Sequence, residues 1–281
     1  MTQSLLTKYH LHIHLLLWLA LLIVAAPVLF AMIVSTQSVA EVFSYPPKLT
    51  PGSSWHNYIE CWKFVNLGRM MFNSAFLAFA VTVGKLVISL MAAFAFSHFD
   101  FRGKNFLFFL VLITLMLPIP VRIVPLFELF VKLGHIHKQL GINTYFSLIA
   151  PFIASATGTF LFRQHFLTIP AELTDAARMD GCGPIRFLFQ ILIPLSKNTI
   201  GALVVIEFVY IWNQYLWPLI VTNSESMRVV QIGIKMLTAT EAVQNWGIIM
   251  AGVILSMIPP LVIFFIMQES FMKGFAFMRE K

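Results

Sequence analysis

Residues 71–97 carry a single charge, Lys85, in a run otherwise apolar enough for lipid. A helix crossing a bilayer needs about 20 such residues. Comparable runs occupy roughly 15–35, 106–127, 142–164, 199–221 and 248–268. Inside lipid no water bonds the backbone, so a spanning segment must satisfy its own N–H and C=O groups, as a helix does. The alternating pattern of a membrane barrel is absent. The expected fold is all-α and polytopic, with six transmembrane helices. Composition agrees: 59% of residues are hydrophobic and 11% charged, where soluble domains carry about 25% charged residues.

The net charge of +7 does not point to nucleic acid. The basic residues lie between apolar runs rather than in one stripe, so they read as topology. With the N-terminus inside, Lys8, Arg102, Lys104, Arg163, Arg178, Arg186, Lys197, Lys273, Arg279 and Lys281 fall on inner segments. They outnumber Lys48, Lys63, Arg69, Lys132, Lys138, Arg228 and Lys235 on outer ones. Both termini are therefore expected in the cytoplasm. The two cysteines, Cys61 and Cys182, then lie on opposite sides and cannot pair, and no zinc-type spacing exists. "SVA" at 38–40 resembles a signal cleavage site, but the apolar run before it exceeds the usual 7–15 residues or so. A retained anchor is the expectation.

The division expected is residues 1–70, a helix and first outer loop, followed by a core at 71–281. The loop contains "SYPPKLTPGSSWHNY", where Pro and Gly break helices. Residues 128–141 read as a short helix ending at Gly141, and 222–247 include the amphipathic "VVQIGIKML".

Residues 165–198 depart from the rest. "ELTDAARMDGCGPIRFLFQILIP" concentrates Glu172, Asp175, Arg178, Asp180 and Arg186 around a Gly-Cys-Gly-Pro break. Pro170 suits the first turn of a helix, and Glu172 and Asp175 suit its positive end. That helix should stop near Gly181 in a left-handed conformation. A second helix should restart at Gly183–Pro184, carry an apolar stripe of Ile185, Leu188, Ile191 and Leu192, and stop at Pro194. Two uses fit this elbow. It can rest on lipid head groups, or it can dock another protein, with Ala176, Ala177 and Gly181 allowing close approach and Asp175 pairing with a cation.

The spacing Asp175-Ala176-Ala177, three residues, Gly181, nine residues, Ile191-x-Ile193-Pro194 resembles the EAA loop of the inner-membrane permeases of binding-protein-dependent ABC importers. Asp175 stands where that pattern has Glu, and Ile193 where it has Leu. Cys182 sits where a small residue is usual and reads as a small buried thiol. "FNSAFLAF" at 72–79, "AAFAFSHFDFRGKN" at 92–105 and "WNQYLWPLI" at 212–220 are similar to the sugar-type branch of the family. "LMLPIPVRIVP" at 115–125 and "ASATGTFLFRQHF" at 154–166 are most similar to second permease subunits of sn-glycerol-3-phosphate importers. The resemblance implies a five-helix permease core plus an N-terminal helix. It also implies coupling to ATPase subunits through Asp175, Ala176, Ala177, Gly181, Ile191 and Pro194. The implied partners are a second related permease, two cytoplasmic ATPases and a periplasmic binding protein. The chain has no GxxxxGK[ST] phosphate loop, so ATP and Mg²⁺ are expected on the ATPases and no cofactor on this chain.

Charges within spans are costly and usually face a cavity or a partner. Lys85 and Glu207 either pair with each other or find separate polar neighbours. Arg122, between Pro120 and Pro125, either snorkels to the interface or meets an anionic substrate. Trp212, Tyr215 and Trp217 suit an aromatic belt, and the resemblance implies that they also shape the translocation path; Trp212 and Asn213 are further candidates for that path. Of His10, His12 and His14, only the first and last share a helix face; all three read as interfacial residues rather than metal ligands, and His135 and His137 as surface residues. No catalytic constellation stands out. The expected function is ATP-driven import of sn-glycerol 3-phosphate or its diesters. Import of a neutral sugar, an ion-coupled carrier and a membrane scaffold are the alternatives.

Overall fold

A computed structural model describes residues 2–238 and 245–276; Arg279 and Lys281, counted above among the inner cations, lie outside them. In chain order the helices are α1 Thr2–Ser35, α2 Val39–Val42, α3 His56–Phe64, α4 Leu67–His98, α5 Lys104–Ile113, α6 Ile119–Ile136, α7 Tyr145–Ile149, α8 Ala156–Phe166, α9 Ala171–Met179, α10 Pro184–Phe187, α11 Ile193–Leu195, α12 Lys197–Trp212, α13 Leu216–Val221, α14 Val230–Thr238 and α15 Trp246–Ala276. Among the described residues every regular element is helical.

Four segments are long and apolar enough to cross a bilayer: Leu11–Ser35, Leu67–His98, Lys138–Phe166 and Trp246–Gly274. A fifth arises if Pro184–Leu195 and Lys197–Trp212, bent by 76°, are one span. The run at 106–127 is not one helix. It divides into α5, a 3₁₀ turn at Thr114–Met116, and α6. Pro118 lacks an N–H and biases the residue before it away from helix; Leu117 is accordingly extended, at φ −82 and ψ 111. The helix expected at 128–141 is the continuation of α6, which ends at Ile136. The run at 142–164 is likewise interrupted, by a 3₁₀ turn at Ala150–Phe152 that contains Pro151. α8 restarts where the Ser155 hydroxyl accepts the Gly158 N–H at 3.1 Å. The run at 199–221 breaks after Trp212 and resumes as α13.

The chain groups into two compact units, Met1–Gly68 with Gly233–Met257, and Arg69–Ile232 with Ile258–Lys281. In the first, α1 exposes apolar side chains from Leu11 to Val24 and, among the residues described from Leu11 on, buries only Ala31, Val34 and Ser35 near its end, as suits a helix solvated by lipid. The Pro-rich loop beyond it is irregular but satisfied. Asn57 Nδ2 donates to the Ser35 and Gln37 carbonyls, each at 2.9 Å. Gln37 Nε2 donates to the Lys48 and Thr50 carbonyls at the same distance. These bonds replace the water that buried amides would otherwise need. The Ser38 backbone N–H and hydroxyl bond the Glu41 carboxylate and hold it below the usual carboxylate range. Cys61 is fully buried, and burial pushes its thiol up to about 11.

In the second unit α4, α8 and α12 converge at Gly158. A Cβ there would meet Ser89 and Leu203, so only glycine permits the approach. The loop after α13 is tied down by two asparagines. Asn143, at φ 61, accepts the N–H groups of Asn223 and Ser224 at 3.0 Å. Asn73 Nδ2 donates to the carbonyls of Ser226 and Arg228 at 2.8 Å.

Candidate functional site: a helical elbow and a charged cavity

The elbow turns where Gly181 takes φ +70. The Cys182 N–H donates to the Ala177 carbonyl at 2.9 Å and the Gly181 N–H to that of Arg178 at 3.0 Å, the paired bonds that close a helix on a left-handed residue. Pro170 caps α9 from outside rather than opening its first turn. Pro184 opens α10, where its missing N–H leaves nothing unpaired. Helical structure then continues past the expected stop at Pro194. Leu188–Leu192 forms a π-helical turn and α11 carries Pro194 within it. In a regular α-helix the Pro194 ring would collide with the carbonyl four residues earlier; the wider turn relieves that.

The elbow is held by its own apolar anchors. Ala177, Phe187, Leu188 and Leu192 are buried in one cluster with Phe94, Phe162, Phe166 and Leu203. The Phe187 ring lies 5.4 Å from the His98 ring. Full burial of such a side chain contributes about 1.5–3 kcal/mol. Three expectations change here. Ala177 faces inward and does not offer its surface to a partner. Ile185, expected with Leu188, Ile191 and Leu192 on one apolar stripe, is 66% exposed; Phe187 is the residue buried with Leu188 and Leu192. Cys182 is half-buried rather than buried. Ile191 is half-buried, while Asp175, Ala176, Gly181 and Pro194 are exposed.

The second constellation lies among α4, α6, α8 and α12. Lys85 and Glu207 form a buried ion pair, which settles the choice between pairing and separate neighbours. The Ser155 hydroxyl donates to Glu207 Oε1 at 3.3 Å, and the Lys85 ammonium lies 5.1 Å from the centre of the Tyr210 ring. Both charges line a cavity of about 450 Å³. Arg122 lines the same cavity, and among the described residues no carboxylate pairs with it. Thr114, Ser155 and Thr157 add hydroxyls, and Tyr210 and Trp217 add aromatic wall. Trp217 is fixed by its N–H, which donates to the Ser147 carbonyl at 3.0 Å.

Lys85, Glu207 and Arg122 are thus brought together, whereas the other two candidates are not. Trp212 is buried and stacks on Phe208, the rings 6.0 Å apart. Asn213 donates to the Val209 carbonyl at 2.9 Å, accepts from Gln231 at 3.0 Å, and lines a shallower depression with Tyr210 and Gln214. Ser155 and Tyr210 belong to the site yet carry little signal in the sequence. The break that exposes Ser155 is legible only as small residues interrupting an apolar run, "ASATGT".

A helical membrane chain with a turned, charged elbow and an intramembrane polar cavity has the architecture of a solute permease, and the comparisons agree. The family profile for "Binding-protein-dependent transport system inner membrane component" matches residues 85–276. The chain belongs to that family, and it is the permease subunit of an ABC importer. The sn-glycerol-3-phosphate transport system permease proteins UgpE of Brucella melitensis and Rhizobium meliloti are each 44% identical over 270 residues, covering 93% of this chain and 94% of theirs. That of Yersinia enterocolitica is 40% identical over 269 residues, with the same coverage. The fold is shared with a bacterial ABC transporter involved in import of the acidic polysaccharide alginate, at TM-score 0.80 and 20% identity, over 94% of this chain and 96% of that one. The family depends on binding proteins, which sets aside the ion-coupled carrier and the scaffold.

Proposed function

We propose that this permease moves sn-glycerol 3-phosphate or glycerophosphodiesters across the inner membrane by alternating access. The reading is supported by the names of its relatives, which are sn-glycerol-3-phosphate transport system permeases. The observation that carries it to particular residues is the convergence of Arg122, Lys85 and Glu207 on one cavity. Arginine grips phosphate oxygens through parallel hydrogen bonds, and Arg122 is the cation of this cavity without a carboxylate of its own among the described residues.

The partners in this reading are a second related permease, two cytoplasmic ATPases that hold ATP and Mg²⁺, and a periplasmic binding protein. A related fold has been solved with an alginate pentasaccharide-bound periplasmic protein. Both termini lie in the cytoplasm, so the elbow faces the ATPases. Asp175, Ala176 and Gly181 meet an ATPase groove, while Ala177 holds the elbow to the permease itself.

The test is the whole complex reconstituted in lipid vesicles. sn-Glycerol 3-phosphate, with the binding protein present, is expected to stimulate ATP hydrolysis and to accumulate, while maltose and glycerol do neither. Arg122→Ala should lower uptake by roughly tenfold or more, as losing hydrogen bonds to a charged group does. Stimulation by a neutral sugar and none by the phosphate ester would overturn the substrate.

A further inference from the structure

The phosphate-ester reading leaves the buried ion pair unexplained. Replacing a buried ion pair by apolar side chains is often neutral or stabilising, so stability alone gives no reason to keep Lys85 and Glu207 in the second unit. Their setting does. Both face the cavity that Arg122 lines, and its volume of about 450 Å³ lies within the range of about 300–1,000 Å³ typical of small-ligand sites. Together the three groups make two cations to one carboxylate.

We propose that Glu207 occupies the place on Lys85 that a substrate phosphate takes during transport. The argument rests on the substrate reading above. An ammonium has three donors; here one face meets Glu207 and another lies against the Tyr210 ring. A carboxylate and a phosphate are interchangeable acceptors for such a group. When a phosphate ester enters, its charge is met by Arg122 and Lys85 together. Glu207 is released, keeps the Ser155 hydroxyl, and accepts hydrogen bonds from the hydroxyls of the glycerol moiety.

The exchange sets specificity in two directions. A neutral polyol has no charge with which to displace Glu207, so the pair stays closed against it. Inorganic phosphate opens the pair but supplies no glycerol hydroxyls to the carboxylate, which is then left with the Ser155 hydroxyl alone, at a cost. Competition by Glu207 also keeps the ester weakly held, which favours its release.

The experiment uses the complete complex in lipid vesicles, with labelled sn-glycerol 3-phosphate as substrate and inorganic phosphate as competitor. In Glu207→Gln the Lys85 ammonium loses its internal partner, so inorganic phosphate should inhibit uptake about tenfold more potently than in the wild type. The double variant Lys85→Met, Glu207→Gln removes both charges together. It should assemble as the wild type does and lose at least about tenfold in uptake. A pair that only supports structure gives the opposite pattern: the single variants fail to assemble and the double variant restores both assembly and uptake. That pattern overturns the proposal, as does unchanged phosphate inhibition in an assembled Glu207→Gln complex. If Glu207→Gln does not assemble, the double variant decides. A wild-type complex that imports maltose and ignores the phosphate ester removes the substrate reading and the exchange with it. Wild-type uptake of the ester with a fully active double variant removes the exchange alone.

Discussion

Asp175 and Arg178 in the elbow stand 3.8 Å apart with 69% of each side chain exposed, whereas Lys85 and Glu207 in the cavity keep 7% each. Both are pairs of opposite charge on helices, yet they do different things. The exposed pair is screened by water and is worth at most about 1 kcal/mol. The elbow therefore takes its stability from Phe187, Leu188 and Leu192, and its charges remain available for recognition. The buried pair faces low dielectric, where its attraction is strong and its desolvation is expensive. It persists where a cavity gives it something to exchange with. In the elbow each charge is separable from the fold singly, whereas in the cavity the two charges have to be removed together.

The change expected to break this contrast most severely is Phe187→Ala. Losing that anchor should cost roughly 3–5 kcal/mol and lower the thermal unfolding midpoint of the purified complex. A midpoint equal to wild type would mean that the elbow is held by its partner and not by its own cluster. Gly181→Val comes next, at about 1–2 kcal/mol. Nothing lies within 4 Å of a Cβ built at Gly181, so the penalty is one of backbone conformation alone. Gly181→Asn should recover most of it, since asparagine tolerates the left-handed region, and equal damage from both would mean that the ATPase contact proposed for Gly181, rather than its backbone conformation, sets the cost. Asp175→Asn is the mildest: the unfolding midpoint should scarcely move, the pair being worth at most about 1 kcal/mol, while coupled ATP hydrolysis falls. Should the midpoint drop and coupling survive, the exposed pair would be structural and the contrast with Lys85–Glu207 would disappear.

Much of this was legible in the sequence, for identifiable reasons. Apolar runs report lipid exposure directly, so Leu67–His98 follows closely from 71–97. Gly181 was readable because a left-handed cap has a strong residue preference. The breaks were harder. At 106–127 the hydropathy is continuous while the backbone is not, and Pro118 and Pro120 govern the outcome. Which candidates share a cavity was harder still. Arg122 joins Lys85 and Glu207 because α6 restarts after Leu117, whereas Trp212, close to Glu207 in sequence, is buried against Phe208. Those outcomes depend on packing between helices, which no one-dimensional pattern contains.

The π turn at Leu188–Leu192 has a consequence for anyone editing this region. One residue added to an α-helical turn rotates everything after it by about 100°. The buried Leu192 is thus in phase with Phe187, five residues earlier, only because the turn is wide. Deleting one residue between Leu188 and Leu192 would restore regular hydrogen bonding and keep the downstream segment in phase, whereas tightening the turn at its present length would swing that segment about a quarter-turn around its axis. Residues 184–196 are best transplanted or mutated as one indivisible cassette, whose length matters as much as its letters.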